Sequence, residues 1–213
     1  MAQRAELRDL AERQRLAATE EEKAQLAEEI TTKEAALGTA AEEFVGRLVG
    51  YINSLEILQG EPLSPEQLAA IQMKTAEDME LAREWIEKGG DYVKAIDIYN
   101  SALINDPDNE ALKAALAEAE DLRFMKPERF AEVKKGMTEE EVRAALGPVN
   151  IRNVRIDEEK GVTTWLYKTE DGGAAGVFFK ANRAGEPLKV YDSKFDFFKP
   201  QVVGATEAAA PTT

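Results

Sequence analysis

Residues 2–37 contain neither Gly nor Pro and consist largely of Ala, Glu, Leu, Arg, Gln and Lys, the residues that lose least on entering a helix. A stretch this long without a breaker leaves the first sixth of the chain little option but α-helix. A seven-residue series follows at Leu16, Lys23, Ile30, Leu37, Phe44, Tyr51 and Leu58, joined later by Ala41, Leu48 and Leu55. The seam is ragged early, where Glu20-Glu21-Glu22-Lys23 interrupts it, and regular late. Gly38 and the Thr39-x-x-Glu42 spacing predict that one helix ends at Leu37 and another begins. Residues 2–37 are then either a solvated arm, or a coiled coil or hairpin arm packed on residues 39–58. The same seam allows a homo-oligomer through the N-terminal helices.

Chemistry is narrowed by what the 213 residues lack. There is no Cys and no His, which excludes thiol nucleophiles, disulfides, Cys/His zinc sites and imidazole-based triads. Carboxylate pairs are abundant by composition, so no pair stands out for acid/base work. Asp106-Pro107-Asp108-Asn109-Glu110 imitates the start of a calcium loop but has Ala111 and Ala117 where glycine and a bidentate glutamate belong. No phosphate-cradling glycine loop is present. The expectation is a protein without catalytic activity, metal or cofactor.

The net charge of −14 has the wrong sign for gripping a phosphate backbone, so nucleic acid is not an expected partner. The excess is uneven: residues 38–125 hold 7 basic and 18 acidic side chains, whereas residues 126–213 hold 14 of each. A boundary near Lys126 follows. Mean hydropathy is −0.41 and no apolar run approaches the roughly 18 residues of a membrane span. The N-terminus has no apolar core of signal-peptide length. Read as a chain start it implies cytoplasm, yet a mature exported chain without its leader or anchor cysteine would read the same.

Punctuation organises the rest. Gly60-Glu61-Pro62 breaks the first pattern; Ser64-Pro65-Glu66-Gln67 supplies an N-cap, a first-turn proline and an N3 glutamine for a helix to about Lys88; Gly89-Gly90 ends it. After Lys126-Pro127, Thr138 and Glu141 form a capping-box spacing with Met137 and Val142 placed as a hydrophobic staple, and Gly147-Pro148 stops that helix. Alternating segments follow around 151–157, 162–168, 174–180 and 188–197, separated by turns at Asp157–Gly161, Asp171-Gly172-Gly173 and Asn182–Gly185. Alternation sets Trp165 and Tyr167 on one sheet face, as packing residues or as a ligand platform, and places Phe195 and Phe197 together with Phe198 opposite. Residues 200–213, rich in Ala and Thr, read as a disordered tail. The fold class is α+β, with divisions at 1–60, 61–125, 126–199 and 200–213.

Two segments resemble known families. Lys88 to Pro107, with Gly90 at an interhelix turn, Tyr92 entering the second helix, Ala95 and Ala102 at close approaches, Tyr99 filling the groove and Pro107 closing it, resembles the second half of a tetratricopeptide repeat. The first half begins at Ala76 and matches less well, with Arg83 at the usual glycine position; residues 109–122 resemble the opening helix of another repeat. The resemblance implies a concave stripe of Glu77, Glu80, Glu84 and Glu87, suited to a basic segment of a protein or peptide partner, unless it is simply a solvated face. Residues 127–198, through Val133, Gly136-Met137-Thr138, Glu141-Val142, Leu146-Gly147-Pro148, Trp165-Leu166-Tyr167 and Val177-Phe178-Phe179, are similar to the SmpA/OmlA outer-membrane assembly lipoproteins, whose fold is a helix pair on a three-stranded sheet, and the expectation here is two helices on an antiparallel sheet of three or four strands. That family's lipidated cysteine is missing here. Together the resemblances imply a non-catalytic interaction or scaffold protein of the bacterial cell envelope, periplasmic or outer-membrane-associated, binding through the acidic stripe or through Trp165 and Tyr167. The alternatives are a cytoplasmic adaptor or chaperone-like helical protein, and an inhibitor or small-ligand module.

Overall fold

The structure is a computed structural model and describes residues 2–57, 62–181, 183 and 186–199. The expected breaker at 60–61, most of the turn at 182–185 and the tail at 200–213 lie outside the described residues. The fold is α+β: helices first, then an antiparallel sheet. The chain divides into two compact units, residues 1–77 and 78–213, with the division inside a helix. The stretch expected as 61–125 is therefore shared between the units.

In the first unit, α1 (Ala2–Leu16) and α2 (Glu20–Ser54) form a hairpin. Glu6 binds Lys33 Nζ at 2.8 Å, and Gln14 Nε2 donates to the Lys23 carbonyl at 3.3 Å, which sets the two helices antiparallel. Residues 2–37 thus fold back within themselves and are not an arm packed on residues 39–58, because residues 39–54 continue the helix that begins at Glu20. The expected break at Gly38 is not there; α2 runs through it. Thr39 does not cap a helix but turns its hydroxyl back onto the Ala35 carbonyl at 3.2 Å, and a glycine inside a helix costs only about 0.5–1 kcal/mol. The break falls at residues 17–19, where Thr19 Oγ1 accepts from the Glu22 N–H at 3.2 Å and Glu20, Glu21 and Glu22 meet the positive end of the helix dipole. At about 1.5 Å per residue, α2 is far longer than α1, so its second half extends past the hairpin. Phe44 and Tyr51 are exposed there, while Leu48 of the same seam is buried.

A helix α3 (Pro65–Gly89) starts at the expected capping box: Ser64 N–H donates to Gln67 Oε1 at 2.8 Å and Gln67 N–H to Ser64 Oγ at 3.2 Å. Its later part belongs to the second unit with α4 (Tyr92–Asn105) and α5 (Glu110–Arg123). Ala82, Tyr92, Ala95, Ile96, Tyr99, Ala102, Leu112 and Ala119 form one buried cluster, joined at its rim by Met79 and Ile86. Ala82 and Ala95 are fully buried, so the helices approach closely and Tyr99 fills the remaining groove.

The same unit continues through α6 (Pro127–Phe130) and α7 (Glu139–Leu146) into β1 (Val154–Asp157), β2 (Val162–Lys168), β3 (Ala174–Lys180) and β4 (Lys189–Phe198), a meander in the order β1-β2-β3-β4. Both capping-box bonds form at α7: Thr138 N–H to Glu141 Oε2 at 2.7 Å and Glu141 N–H to Thr138 Oγ1 at 3.2 Å. Phe130, Val133, Val142 and Leu146 cover one sheet face, meeting Trp165, Val177, Phe179 and Val190. The link from helices to sheet module is close. A Cβ on Gly90, which has φ +58, would lie 2.3 Å from the Val149 carbonyl oxygen; Asn150 Nδ2 donates to the Gly90 carbonyl at 3.3 Å, and Arg143 Nη1 to the Glu87 carbonyl at 3.3 Å. Only a residue without a side chain lets these backbones meet.

Candidate interaction surfaces

The four glutamates of the α3 stripe do not act as one set. Glu77 falls in the first unit and the other three in the second. Glu80 is held by Arg83 of its own helix at 2.6 Å and is only 27% exposed, so its carboxylate is already neutralised. Glu84 is half-buried and Glu87 exposed. Beside Glu84 lies an apolar hollow lined by Leu81, Trp85 and Ile151 together with Glu84 and Lys88. Leu81, Trp85 and Ile151 are 48%, 41% and 64% exposed. Sequence reasoning overlooked Trp85. The signal was there: Leu81 and Trp85 are four apart and therefore adjacent on one helix face.

Trp165 and Tyr167 share a face, as alternation requires, but it is the covered one. They are 4% and 7% exposed, so neither presents a platform to a partner. Trp165 stacks at a tilt on Phe179, ring centroids 4.7 Å apart, and Arg143 lies 5.8 Å from its ring. Tyr167 donates to the Gly147 carbonyl at 3.2 Å. Burial pushes its hydroxyl pKa well up. Tyr92, also buried, has its pKa raised to about 12, chiefly by loss of solvent. Its hydroxyl has no partner among the described residues. Trp165 and Tyr167 are core because α6, α7 and the loop at Val149 close over that side of the sheet, and alternation alone does not say which side is covered.

The other side is open. Directly opposed residues share a face, so the register sets Val162, Lys180 and Lys189 in one row, Thr164, Phe178 and Asp192 in the next, then Leu166, Gly176 and Lys194, then Lys168, Ala174 and Phe198. The Phe178 ring meets Phe197 edge-on at 5.1 Å and Tyr191 at 6.2 Å. Tyr191, Phe197 and Phe198 are 45%, 46% and 57% exposed. Phe197 lies over Gly176, whose absent Cβ would sit 3.1 Å from the Phe197 ring.

Phe195 and Phe197 are not on one face as period-two spacing predicts. Phe195 turns inward onto Phe130, 5.7 Å between centroids, because the β3–β4 register shifts between Ala174 and Gly176. That irregularity also hid the aromatic ridge, since a bulge breaks the alternation from which faces are read.

A crevice of about 100 Å³ lined by Tyr92, Arg123, Asn150 and Tyr167 is large enough only for a few waters. Among the described residues no three acidic side chains converge as a metal ion would require, and no helix is long and apolar enough to cross a membrane. No protein family, no curated protein and no solved structure matches the chain.

Proposed function

We propose that this chain is a non-catalytic protein-interaction or scaffold protein of the bacterial cell envelope, with a tetratricopeptide-like helical part and an SmpA/OmlA-like sheet module. The observation that carries the binding role is the open sheet face, where Phe178, Tyr191 and Phe197 form an exposed ridge on a sheet whose other side is closed by a packed core. Such a face binds with little reorganisation, because the core beneath fixes it before a partner arrives. The envelope assignment rests on the resemblance of residues 127–198. Two features support further contacts: the exposed Trp85 hollow suits an apolar side chain of a partner, and exposed Phe44 and Tyr51 suit self-association through α2.

Photo-crosslinking in the bacterium that encodes the protein tests this. A photoreactive residue at position 197 should give a discrete adduct in the envelope fraction, and one at buried position 165 should give none. Absence of any adduct from 197, or equal trapping from 197 and 165, would remove the proposed role; an adduct confined to the cytosolic fraction would remove the envelope assignment.

A further inference from the structure

On a chain of net charge −14, the open sheet face is the exception. By register, Lys168, Lys180, Lys189 and Lys194 all stand on it, and all are exposed. By register Asp157 and Asp192 share the face, Asp157 paired with Lys160 at 2.7 Å and Asp192 Oδ1 accepting the Ser193 N–H at 3.0 Å, and Glu159 stands at the same end as Lys180, Lys189 and Tyr191. Lys180 and Lys189 lie at one end of the aromatic ridge, and Lys194 and Lys168 toward the other. The result is an apolar ridge framed by ammonium groups, where bound carboxylates would be attracted at both ends and apolar side chains would be desolvated in the middle.

We infer that the open face of the β1–β4 sheet is a docking site for an acidic protein segment that alternates Glu or Asp with aromatic or aliphatic side chains. This rests on the protein-binding reading above and specifies its partner. Charge sign selects an anionic occupant, and ring geometry selects a peptide over a nucleic acid. The rings meet at 52° and 72°, so they form a notched surface that takes side chains, not the parallel shelves on which successive bases stack. The net charge of −14 also disfavours a polyphosphate at long range more than it does a short peptide of fewer charges.

The probe is a fluorescein-labelled nonapeptide, Glu-Phe-Glu-Leu-Glu-Phe-Glu-Leu-Glu, read by anisotropy with the full chain. A version with Lys for Glu and a twelve-residue oligothymidylate serve as comparisons. The acidic peptide should bind and the lysine peptide should not. The double variant Lys180→Glu/Lys194→Glu should weaken binding about tenfold or more, as expected for two attractive contacts turned repulsive. Arg47→Glu/Lys113→Glu, with the same change in net charge on helices α2 and α5, should change it less than about twofold. All four substitutions are at exposed positions, and circular dichroism checks that each variant folds. No binding of the acidic peptide, equal binding of the lysine peptide, equal loss in both double variants, or tighter binding of oligothymidylate would each overturn the inference. An adduct from position 197 that persists while the acidic peptide fails would leave the protein-binding role standing and remove only the acidic partner.

Discussion

The glycines inside α2 of the first unit and three glycines at close approaches in the second behave oppositely. In the first, Gly38, Gly46 and Gly50 sit inside α2 with open space where a side chain would be. In the second, Gly90 is pressed against the Val149 backbone, Gly147 against the Tyr92 hydroxyl, and Gly176 under Phe197. The first unit is built from local preference: a strong helix-forming sequence folded once on itself and fastened by contacts such as Glu6–Lys33. The second is built from close approaches, and its buried clusters exist because particular backbones can touch. The same residue type is therefore a small local cost in one region and a requirement of the fold in the other.

Substitutions can break or sharpen that contrast. Trp165→Ala should cost the most, about 3–5 kcal/mol, since it empties the centre of the covered sheet face; a urea midpoint for residues 78–213 that hardly moves would show the core to be loosely packed. Gly90→Ala should follow at about 3 kcal/mol, combining a left-handed backbone angle with a Cβ driven into the Val149 carbonyl, and amide exchange should loosen in both α4 and the Val149 loop. Unchanged exchange in that loop would mean the helices and the sheet module do not depend on this contact.

Tyr92→Phe should be neutral or stabilising by up to about 1 kcal/mol at neutral pH, because it removes a buried hydroxyl without a partner. Its pH dependence has a definite sign. The folded-state pKa is raised from 10.0 to about 12, so the neutral phenol's contribution is complete below the unfolded value and is lost as pH climbs through that interval. Wild-type stability should fall by about 2 kcal/mol more than that of Tyr92→Phe over this window, measured by urea melts. Equal alkaline losses would place the hydroxyl in solvent. Gly38→Ala should be the smallest effect and opposite in sign, a gain of about 0.5–1 kcal/mol in thermal melts, since α2 is continuous there and nothing crowds the new methyl. A loss would mean that the helix needs to bend at that point.

Much of the second unit was legible. The α7 capping box, its stop at Gly147, the turn at Asp171-Gly172-Gly173 and the strand positions all follow from chemistry within a few residues, and such signals survive folding unchanged. The α1–α2 boundary was misplaced because the Thr-x-x-Glu spacing occurs at both Thr19 and Thr39, and only the reversal of the chain at residues 17–19 makes the first one a cap. The candidate surfaces were less legible. Helical spacing shows Glu80 on a stripe but not its pairing with Arg83, and alternation sets Trp165 and Tyr167 on a common face without saying which face the helices cover. Phe178 and Phe197 were brought together by strand pairing across 19 residues and by a shifted register, neither of which alternation encodes.

The sequence by itself determined the fold class, the punctuation of α3, α7 and the strands, the sign and uneven placement of charge, and the absence of thiol and imidazole side chains, because each of these is a property of residue type or of neighbours within one or two turns. Only the tertiary structure decided which sheet face stays open, which glycines are indispensable, and that four lysines frame an aromatic ridge on an acidic protein. Those outcomes depend on which segments reach one another across long stretches of chain, and local preferences carry no information about that choice.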